Sequence, residues 1–410
     1  MEINGKYNTA IVYQSKIDDT TEEQIKTLLD QPFVEGETIR IMPDCHAGKG
    51  CVIGFTTTIN NNKVCPNLVG VDIGCGMLAM KLEGIRKEDV DLKAFDEFIY
   101  QNIPSGFNIN DQPKAKCLKL GELRCLGHLK NIETFQNALG SLGGGNHFIE
   151  IDEDDEGSLW FVVHTGSRNL GKQVADWYQS LADSACNEKA IKFDIERKFI
   201  IESYKLEHRE YEIQNALTRL KQKYKDFINE IPTGLSYLEG QNLDDYLFDM
   251  DICQQYASIN RATICRQVAK WFGLDYNAVD SFETVHNYID LGQKILRKGA
   301  IDCSYGKKVL IPLNMRDGSL ICIGQSNKEY NCSGPHGAGR LMSRIAAKES
   351  IEIDQFKKSM EGIYTSCVSE ATKDESPFAY KDMQDIIPWV EPTAHIMKRI
   401  KPIYNFKAGE

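Results

Sequence analysis

VGVDIGCGM, residues 69–77, is the stretch around which the rest of the chain is organised. Asp72 and Cys75 are its only polar side chains, and they lie three residues apart among glycines and small apolar residues. Because glycine permits tight turns and close approach by other groups, the stretch predicts a turn that presents an acid and a thiol together. Such a pair is typical of metal ligands. The alternative is a buried turn with an inert core cysteine, since free cysteine is commonly buried.

The composition predicts a large globular protein of the reducing cytoplasm. The 410 residues are 42% hydrophobic, which suffices for a large core, and length alone allows two or three domains. No apolar run is long enough to cross a membrane, and the N-terminal MEINGK has no apolar signal-peptide core. The 13 cysteines show no paired framework, so free or metal-binding thiols are expected. The net charge of −11 argues weakly against a nucleic-acid partner, although a local basic groove would decide affinity.

A second acid-bearing turn precedes this stretch. After a short helix over 20–29 with a threonine cap, residues 39–53 read IRIMPDCHAGKGCVI. We predict a strand, then a Pro-Asp turn that presents Asp44 and His46 beside a glycine loop carrying Lys49. Such a loop can hold phosphate through its backbone N–H groups, although the GxxxxGK[ST] spacing of a Walker loop is absent. A turn with solvated charges is the alternative.

Three histidines follow in β-rich stretches. His147 comes directly after GGGN and before a strand that contains Glu150. His164 ends the strand predicted over 159–163, and His286 lies in SFETVHNYI. His147 or His164 taken alone is better explained as a satisfied core or surface residue. Glycine-flanked histidines at strand ends, together with two acid-bearing turns, predict a functional site.

These residues form a set of candidate metal ligands, drawn from well-separated stretches: Asp72, Cys75, His147, His164 and His286. Mixed carboxylate, thiolate and imidazole ligation favours Mn, Fe, Co or Zn over Mg or Ca. Five ligands exceed what a closed tetrahedral zinc site needs. The pattern therefore indicates an open catalytic centre of one or two ions.

His336 is a separate candidate. It stands between Pro335 and Gly337 in GQSNKEYNCSGPHGAGR, where little could crowd its imidazole, and Arg340 is predicted to open a helix. A histidine presented in this way is a candidate nucleophile as well as a candidate ligand.

The charge-dense, glycine-poor residues 195–230 predict an exposed helical insertion, which we bound at 195–235. It is either one long helix or a hairpin, with His208 facing solvent. A solvated helix is the favoured interpretation, and an RNA-contacting arm is the alternative. Residues 243–272 predict a core helix. Lys407 near the C-terminus is by default a loose end charge.

At this point the sequence resembles the RtcB family of RNA-splicing ligases. The resemblance rests, in chain order, on MPDCHAGKG, VGVDIGCGM, GGGNHFIEI, HTGSRNLG, VHNYI, RKGA, PHGAGRLMSR and AYKD. It implies one α+β (mixed α/β) domain over 1–410, with a deep central metal and nucleotide pocket, two Mn(II) ions and GTP. The implied reaction joins RNA with a 2′,3′-cyclic phosphate or 3′-phosphate end to RNA with a 5′-hydroxyl end. An archease-like activator is a candidate partner.

The resemblance also implies residue roles. Cys75 would bridge the two ions, and Asp72, His147, His164 and His286 would complete their shells. His336 would attack the α-phosphate of GTP to form a histidine–GMP intermediate, and Asp44 would act near the RNA ends. Nucleotide contacts are implied for Asn146, Glu150, Gly337, Ala338, Gly339, Tyr380 and Lys407.

Three stretches depart from the family pattern. They are LNMRDG at 313–318, CSGP at 332–335, and the charged insertion. We therefore expect a divergent bacterial-type paralogue that serves RNA repair rather than tRNA splicing. A metal-dependent RNA-end phosphoesterase, or an end-binding protein without ligation, is the alternative on the same scaffold.

Overall fold

Strands of two main sheets contain Asp44, Glu150, His164 and Lys407, and further candidate residues directly adjoin these strands. The structure is a computed structural model, and it describes residues 1–224, 231–232 and 234–407, with the backbone alone at 189–191. The strands are β1 (Glu2–Asn4), β2 (Thr9–Val12), β3 (Ile39–His46), β4 (Ile53–Thr58), β5 (Gly76–Lys81), β6 (Phe148–Asp154), β7 (Leu159–Thr165), β8 (Ser281–Val285), β9 (Asn287–Asp290), β10 (Ile295–Lys298), β11 (Ala300–Asp302), β12 (Lys308–Asn314), β13 (Gly318–Gly324), β14 (Ser333–Pro335) and β15 (Ala394–Lys407).

Ten α-helices accompany these sheets in the part of the chain that the structure describes. They are α1 (Asp19–Leu29), α2 (Leu92–Asn102), α3 (Thr134–Ala138), α4 (Arg168–Cys186), α5 (Glu188–Leu206), α6 (Ile213–Lys223), α7 (Gly240–Trp271), α8 (Arg344–Ser350), α9 (Ile353–Ser359) and α10 (Met383–Val390). Within the described ranges, none of them is both long and apolar enough to cross a membrane.

The larger sheet has seven strands in the order β12-β13-β15-β6-β7-β5-β8. Its two edge strands approach each other: the backbone N–H of Leu310 in β12 donates to Thr284 Oγ1 in β8 at 2.9 Å. The sheet is therefore nearly closed, with one face turned inward. The second sheet has the order β1-β2-β3-β4-β10-β9, and β11 pairs with β14 beside it.

The helix α7 joins two hydrophobic cores. Its N-terminal half buries Tyr246 and Met250 in the core that also contains Ile41 and Phe55 of the second sheet. Its C-terminal half buries Ile264, Cys265 and Val268 in the core beneath the seven-stranded sheet. The predicted core helix is thus confirmed, and so is the mixed α+β fold class.

Several local predictions were wrong. The helix α1 is capped by the Asp18 side chain, which accepts from Thr21 N, rather than by a threonine. Pro43 and Asp44 lie inside β3, whose pairing with β4 shifts in register between Ile41 and His46, and not in a turn. Strand edges and irregularities tolerate proline, so the dipeptide did not end the strand.

Two predictions near the C-terminus also fail. Arg340 does not open a helix, since α8 begins at Arg344 after a Ser343 cap. Lys407 is not a loose end charge, because it is the last residue of β15 and is buried.

The charged insertion forms a hairpin of two helices, α5 and α6, over the residues the structure describes. Lys223 Nζ and Tyr224 Oη both bond Glu196, at 2.8 and 2.7 Å. His208 is exposed, as predicted. Residues 225–230, at the end of the predicted arm, and residue 233 lie outside the described residues.

Candidate metal centre and adjoining pocket

Strand order explains how distant residues meet. Cys75 directly precedes β5, and His147 directly precedes β6. His164 lies near the end of β7, and His286 directly follows β8. Because β6, β7, β5 and β8 are antiparallel neighbours, the start of one strand lies beside the end of the next, and the four residues meet at the same end of these strands. The pairs Phe148↔His164 and Met77↔His164 fix the register.

The five candidate ligands form one connected group. Cys75 Sγ lies 3.5 Å from His147 Nε2 and 3.4 Å from His164 Nε2. His147 Nε2 lies 3.2 Å from Asp72 Oδ2, and His164 Nε2 lies 3.1 Å from His286 Nε2. The thiol therefore stands between two pairs, Asp72 with His147 and His164 with His286. Cys75, His147 and His164 alone bring their ligand atoms within 4.8 Å of one another.

Neighbouring groups fix the orientation of these ligands. His147 Nδ1 lies 2.8 Å from the Leu142 carbonyl, so that nitrogen donates and Nε2 is the atom that faces Asp72 and Cys75. Asp72 Oδ1 accepts from Ser167 N at 3.0 Å. Gly166 is required beside it, since a Cβ there would lie 2.2 Å from Asp72 Oδ2.

Burial governs the charge of the cluster. It lowers the pKa of both His164 and His286 well below the ordinary value, so both imidazoles are neutral. Burial and the nearby Asp72 raise the pKa of the Cys75 thiol. Burial opposes ionisation of Asp72, yet the hydrogen bond and charge of His147 outweigh it and lower the Asp72 pKa to about 2. Neutral imidazoles suit a cation, and a cation would supply the charge that a Cys75 thiolate needs.

The donor set fits a transition-metal ion. His286 Nδ1 is buried and has no hydrogen-bond partner among the described residues, whereas its Nε2 faces His164. A carboxylate, a thiol and neutral imidazoles converge without a neighbouring lysine or arginine bonded to them in the described chain. This arrangement is poor for a packed apolar core and suitable for ions.

His336 lies beside this cluster, with its ring centroid 4.8 Å from that of His286. Asp44 Oδ2 accepts from the His336 backbone N at 3.0 Å and from its Nδ1 at 2.6 Å. Asp44 is fully buried. Since Nδ1 carries the hydrogen that it donates to the carboxylate, the lone pair of the neutral His336 ring resides on Nε2.

A pocket of about 490 Å³ opens next to His336. Its walls are formed by Asn146, Phe148, Glu150, His164, Pro312, Leu313, Asn314, Met315, His336, Ala338, Tyr380 and Lys407. Five of the seven predicted nucleotide contacts are among them. A Cβ on Gly337 would lie 3.1 Å from the Pro312 carbonyl, and Gly339 packs against the Asp44 backbone, so these two support the wall instead.

An acidic residue that sequence reasoning missed organises the far wall. Glu375 Oε2 accepts from Lys407 Nζ at 2.8 Å and from Tyr380 Oη at 2.6 Å. Burial opposes ionisation of Glu375, but the charge of Lys407 outweighs it and lowers the pKa. In the sequence Glu375 is one acid in a charged tail segment, and no spacing marks it.

The buried Arg261 of α7 was also missed. Its Nη1 donates to the carbonyls of Gly74 and Thr165 at 2.8 and 2.7 Å, and its Nε pairs with Glu283 at 2.6 Å. One guanidinium thus holds the turn before Cys75 against the end of the strand that bears His164. The core periodicity of α7 hides a polar residue of this kind.

Comparison with known proteins is consistent with this geometry. The model of the RtcB family, described as tRNA-splicing ligase RtcB, matches residues 24–124 and 126–408. The chain is 28% identical to the RNA-splicing ligase RtcB of Escherichia coli, over 89% of this chain and 88% of that protein. It is 25% identical to the tRNA-splicing ligase RtcB of Thermococcus kodakarensis, over 94% of this chain and 90% of that protein.

Proposed function

Because the chain belongs to the RtcB family, we propose that it is an RNA ligase that uses GTP and Mn(II) and works through a histidine–GMP intermediate. Its substrates are RNA ends with a 2′,3′-cyclic phosphate or 3′-phosphate and RNA ends with a 5′-hydroxyl. The placement of His336 carries the proposal, since its ring lies beside that of His286 in the ligand cluster and the residue lines the pocket.

His336 acts as the nucleophile. Its Nε2 lone pair attacks the α-phosphorus of GTP, the P–N bond forms, and the bond to pyrophosphate breaks. The imidazole gains positive charge as it reacts, and the Asp44 carboxylate at Nδ1 stabilises that charge. Asp44 thereby acts on the nucleophile as well as near the RNA ends.

The later steps return His336 to its starting state. An oxygen of the RNA 3′-phosphate attacks the GMP phosphorus, and the P–N bond breaks with the pair returning to Nε2. The RNA 5′-hydroxyl then attacks the activated 3′-phosphorus and GMP leaves. A 2′,3′-cyclic phosphate is opened by water before these steps.

The nucleotide lies in the pocket beside His336. The wall of this pocket includes Asn146, Glu150 and Ala338, together with Tyr380 and Lys407, which are both fixed by Glu375. A cationic Lys407 suits an anionic nucleotide, and the Glu150 carboxylate suits donor groups of a guanine base.

Asp72, Cys75, His147, His164 and His286 would hold two ions, with the Cys75 thiolate between them. When bound, divalent ions neutralise charge on phosphoryl oxygens. The position of Cys75 Sγ between the pairs Asp72–His147 and His164–His286 supports this division of ligands.

Covalent labelling tests the proposal. Protein incubated with Mn(II) and GTP labelled at the α-phosphate is expected to retain label through denaturation, and His336→Ala is expected to retain none. His395→Ala is the matched control, because His395 is exposed and its ion pair within the described residues is with Glu391, away from the pocket lining. A metal-loaded wild type without any adduct would overturn the proposal.

That failure would favour a phosphoesterase or a non-ligating end-binding protein. The observation behind this second candidate is the wall at Pro312–Met315, where LNMRDG departs from the family pattern at the pocket itself. In that case the metal-loaded protein would bind or hydrolyse 3′-end phosphates with no dependence on GTP.

A preference for RNA repair over tRNA splicing is a further part of the proposal. Ligation rates on cleaved tRNA, cleaved rRNA and tRNA exon halves would measure it. Equal or higher rates on exon halves would contradict it.

A further inference from the structure

Phe107 is exposed in a way that packing does not explain. Its side chain is 99% exposed, more than any other large hydrophobic residue in the described chain. A fully solvated phenyl ring gains nothing from the fold, since the hydrophobic effect favours its burial. Exposed aromatic rings next to an active site are commonly binding surfaces.

The backbone holds Phe107 at the edge of the metal centre. The preceding residue, Gly106, donates to the Gly143 carbonyl at 2.9 Å and accepts from Arg168 Nη2 at 2.8 Å. Gly143 in turn packs on a metal-ligand candidate, because a Cβ there would lie 2.8 Å from His147 Nδ1. Phe107 therefore directly follows Gly106, which is hydrogen-bonded to the glycine that lies beside His147.

The rest of this segment anchors it further. Leu142 N donates to the Pro104 carbonyl at 2.8 Å, and Ser105 forms a bridge with Gly143. The ring of Phe107 thus projects into solvent from a fixed support rather than from a free loop.

The same segment, 104–119, is locally basic in an acidic protein. It contains Lys114, Lys116 and Lys119 and only one acid, Asp111, whereas the whole chain carries −11. All three lysines are exposed. Lys114 Nζ is held by Gln267 Oε1 at 2.6 Å, which leaves Lys116 and Lys119 to extend outward.

An exposed aromatic ring and exposed lysines on one segment supply the two kinds of group that bind single-stranded nucleic acid. Bases stack on the ring, and the cations track the phosphates. The ends joined by an RNA ligase are single-stranded at the reacting position, so a base near the end is free to leave its stack.

We propose that Phe107 is a stacking platform for one nucleobase close to the RNA end that lies at the metal centre, and that Lys116 and Lys119 contact the phosphates of the same strand. This inference rests on the proposed function, because it needs an RNA end at that centre.

The test measures binding of a short fluorescent single-stranded RNA with a 3′-phosphate, or with a 5′-hydroxyl, by anisotropy with Mn(II) present. Phe107→Ala is expected to weaken binding of one of the two strands by about 10-fold or more. Phe107→Trp should retain it. The matched control is Tyr305→Ala, because Tyr305 is 87% exposed and lies before the first residue of β12, whereas the last residues of that strand line the pocket.

Abasic RNAs separate stacking from a merely structural effect. A series with one base removed at successive positions should contain one RNA that wild type and Phe107→Ala bind equally. Equal binding of the intact RNAs by wild type and Phe107→Ala, or an equal loss for every abasic RNA, would overturn the proposal. The first of those results would assign the ring to a protein partner instead.

Adduct formation with GTP needs no RNA, so it distinguishes the two levels of inference. Phe107→Ala is expected to form the His336 adduct at the wild-type rate. If wild type forms no adduct, the proposed function fails, while the anisotropy comparison still decides the role of Phe107.

Discussion

Asp44 accepts two hydrogen bonds from His336, and both go to the same carboxylate oxygen. Oδ2 accepts from the backbone and from the ring, while Oδ1 is buried without a partner in the described chain. The carboxylate therefore fixes the tautomer as well as the orientation of the ring. A neutral amide of the same shape could keep the position but would not compensate charge on the imidazole.

We expect Asp44→Asn to slow adduct formation by about 10²- to 10⁴-fold, in the range of lost acid–base and orienting groups. Single-turnover labelling with GTP measures the rate, and circular dichroism checks the fold. An adduct formed at the wild-type rate would show that Asp44 serves only the RNA ends.

Glu150 and Asp152 are two carboxyls on one face of β6. Asp152 is fully buried and both of its oxygens lack partners in the described structure. Burial raises the pKa of Glu150 from 4.5 to about 7, against the pull of Lys407. Burial and the nearby Glu150 raise the pKa of Asp152 well above its ordinary value. The folded protein therefore holds protons that the unfolded chain has released.

Stability from this pair is consequently complete in acid and is lost as pH rises from about 4.5 through about 7. Asp152→Asn removes one of the two titrations. The free energy of unfolding of this variant, relative to that of wild type, should therefore be higher at pH 8 than at pH 5. Urea unfolding at both pH values measures the gain. Asp155→Asn, an exposed acid of the same strand connection, should show no such trend. A pH-independent difference for Asp152→Asn would contradict the assignment.

At the scale of elements, α7 supports the metal centre through Arg261. Arg261→Met would leave the Gly74 and Thr165 carbonyls without this donor and Glu283 without its partner. We expect a loss of about 1–3 kcal/mol in the free energy of unfolding, because buried carbonyls lose their donor while Glu283 remains partly exposed. Metal affinity should fall about 10- to 100-fold, because an orienting contact is lost.

Urea unfolding and Mn(II) titration measure the two effects. Arg266→Met is the control, since Arg266 lies on the exposed face of α7 over the Tyr276 ring. Unchanged metal affinity in Arg261→Met would mean that the two strand ends need no bracing.

The residues that flank the hairpin of α5 and α6 are in contact with each other, so the hairpin begins and ends at one point of the fold. Cys186 Sγ lies 3.3 Å from the Tyr237 carbonyl and 3.4 Å from its N. Replacing residues 188–230 by a short Gly-Ser linker should therefore leave adduct formation unchanged. Labelling with GTP tests this, and anisotropy with RNA shows whether the arm contacts substrate. Loss of the adduct would place the arm within the catalytic unit.

The elements differ in how well their sequences predict them. The core helix over 243–272 and the strand over 159–163 were predicted well, because the helix keeps core spacing over its length and the strand is a continuous apolar run. The strand β3 was misjudged at Pro43 because tertiary pairing with β4 overrides a local turn signal. The position of Lys407 in β15 depends on a partner strand far away in sequence, which no local pattern contains.

For the whole molecule, bound metal should contribute to folding. The ligands come from residues 72 to 286, so an ion that binds them stabilises only the folded chain. At a free Mn(II) concentration of 100 times Kd we expect about 2.7 kcal/mol. Thermal unfolding with Mn(II) and with a chelator measures the gain. Cys75→Ala should lose the shift, and Cys332→Ala should keep it; a shift retained by Cys75→Ala would remove Cys75 from the site.

The candidate site was predictable to a different degree from the fold. Long motifs identified the ligand candidates and His336, since chemistry restricts those residue types. Their pairing around Cys75 needed the strand order β6-β7-β5-β8, which the sequence does not specify locally. Glu375 and Arg261 escaped prediction because their roles consist entirely of contacts with other residues.

The strand that brings Lys407 to the pocket, β15, is the last element described, yet it lies inside the seven-stranded sheet between β13 and β6. During protein synthesis this strand therefore emerges after all its neighbours. Until then β13 and β6 each expose an unpaired edge, which is a template for pairing with other chains. A chain that ends before β15 would therefore keep two exposed strand edges and would be prone to aggregate.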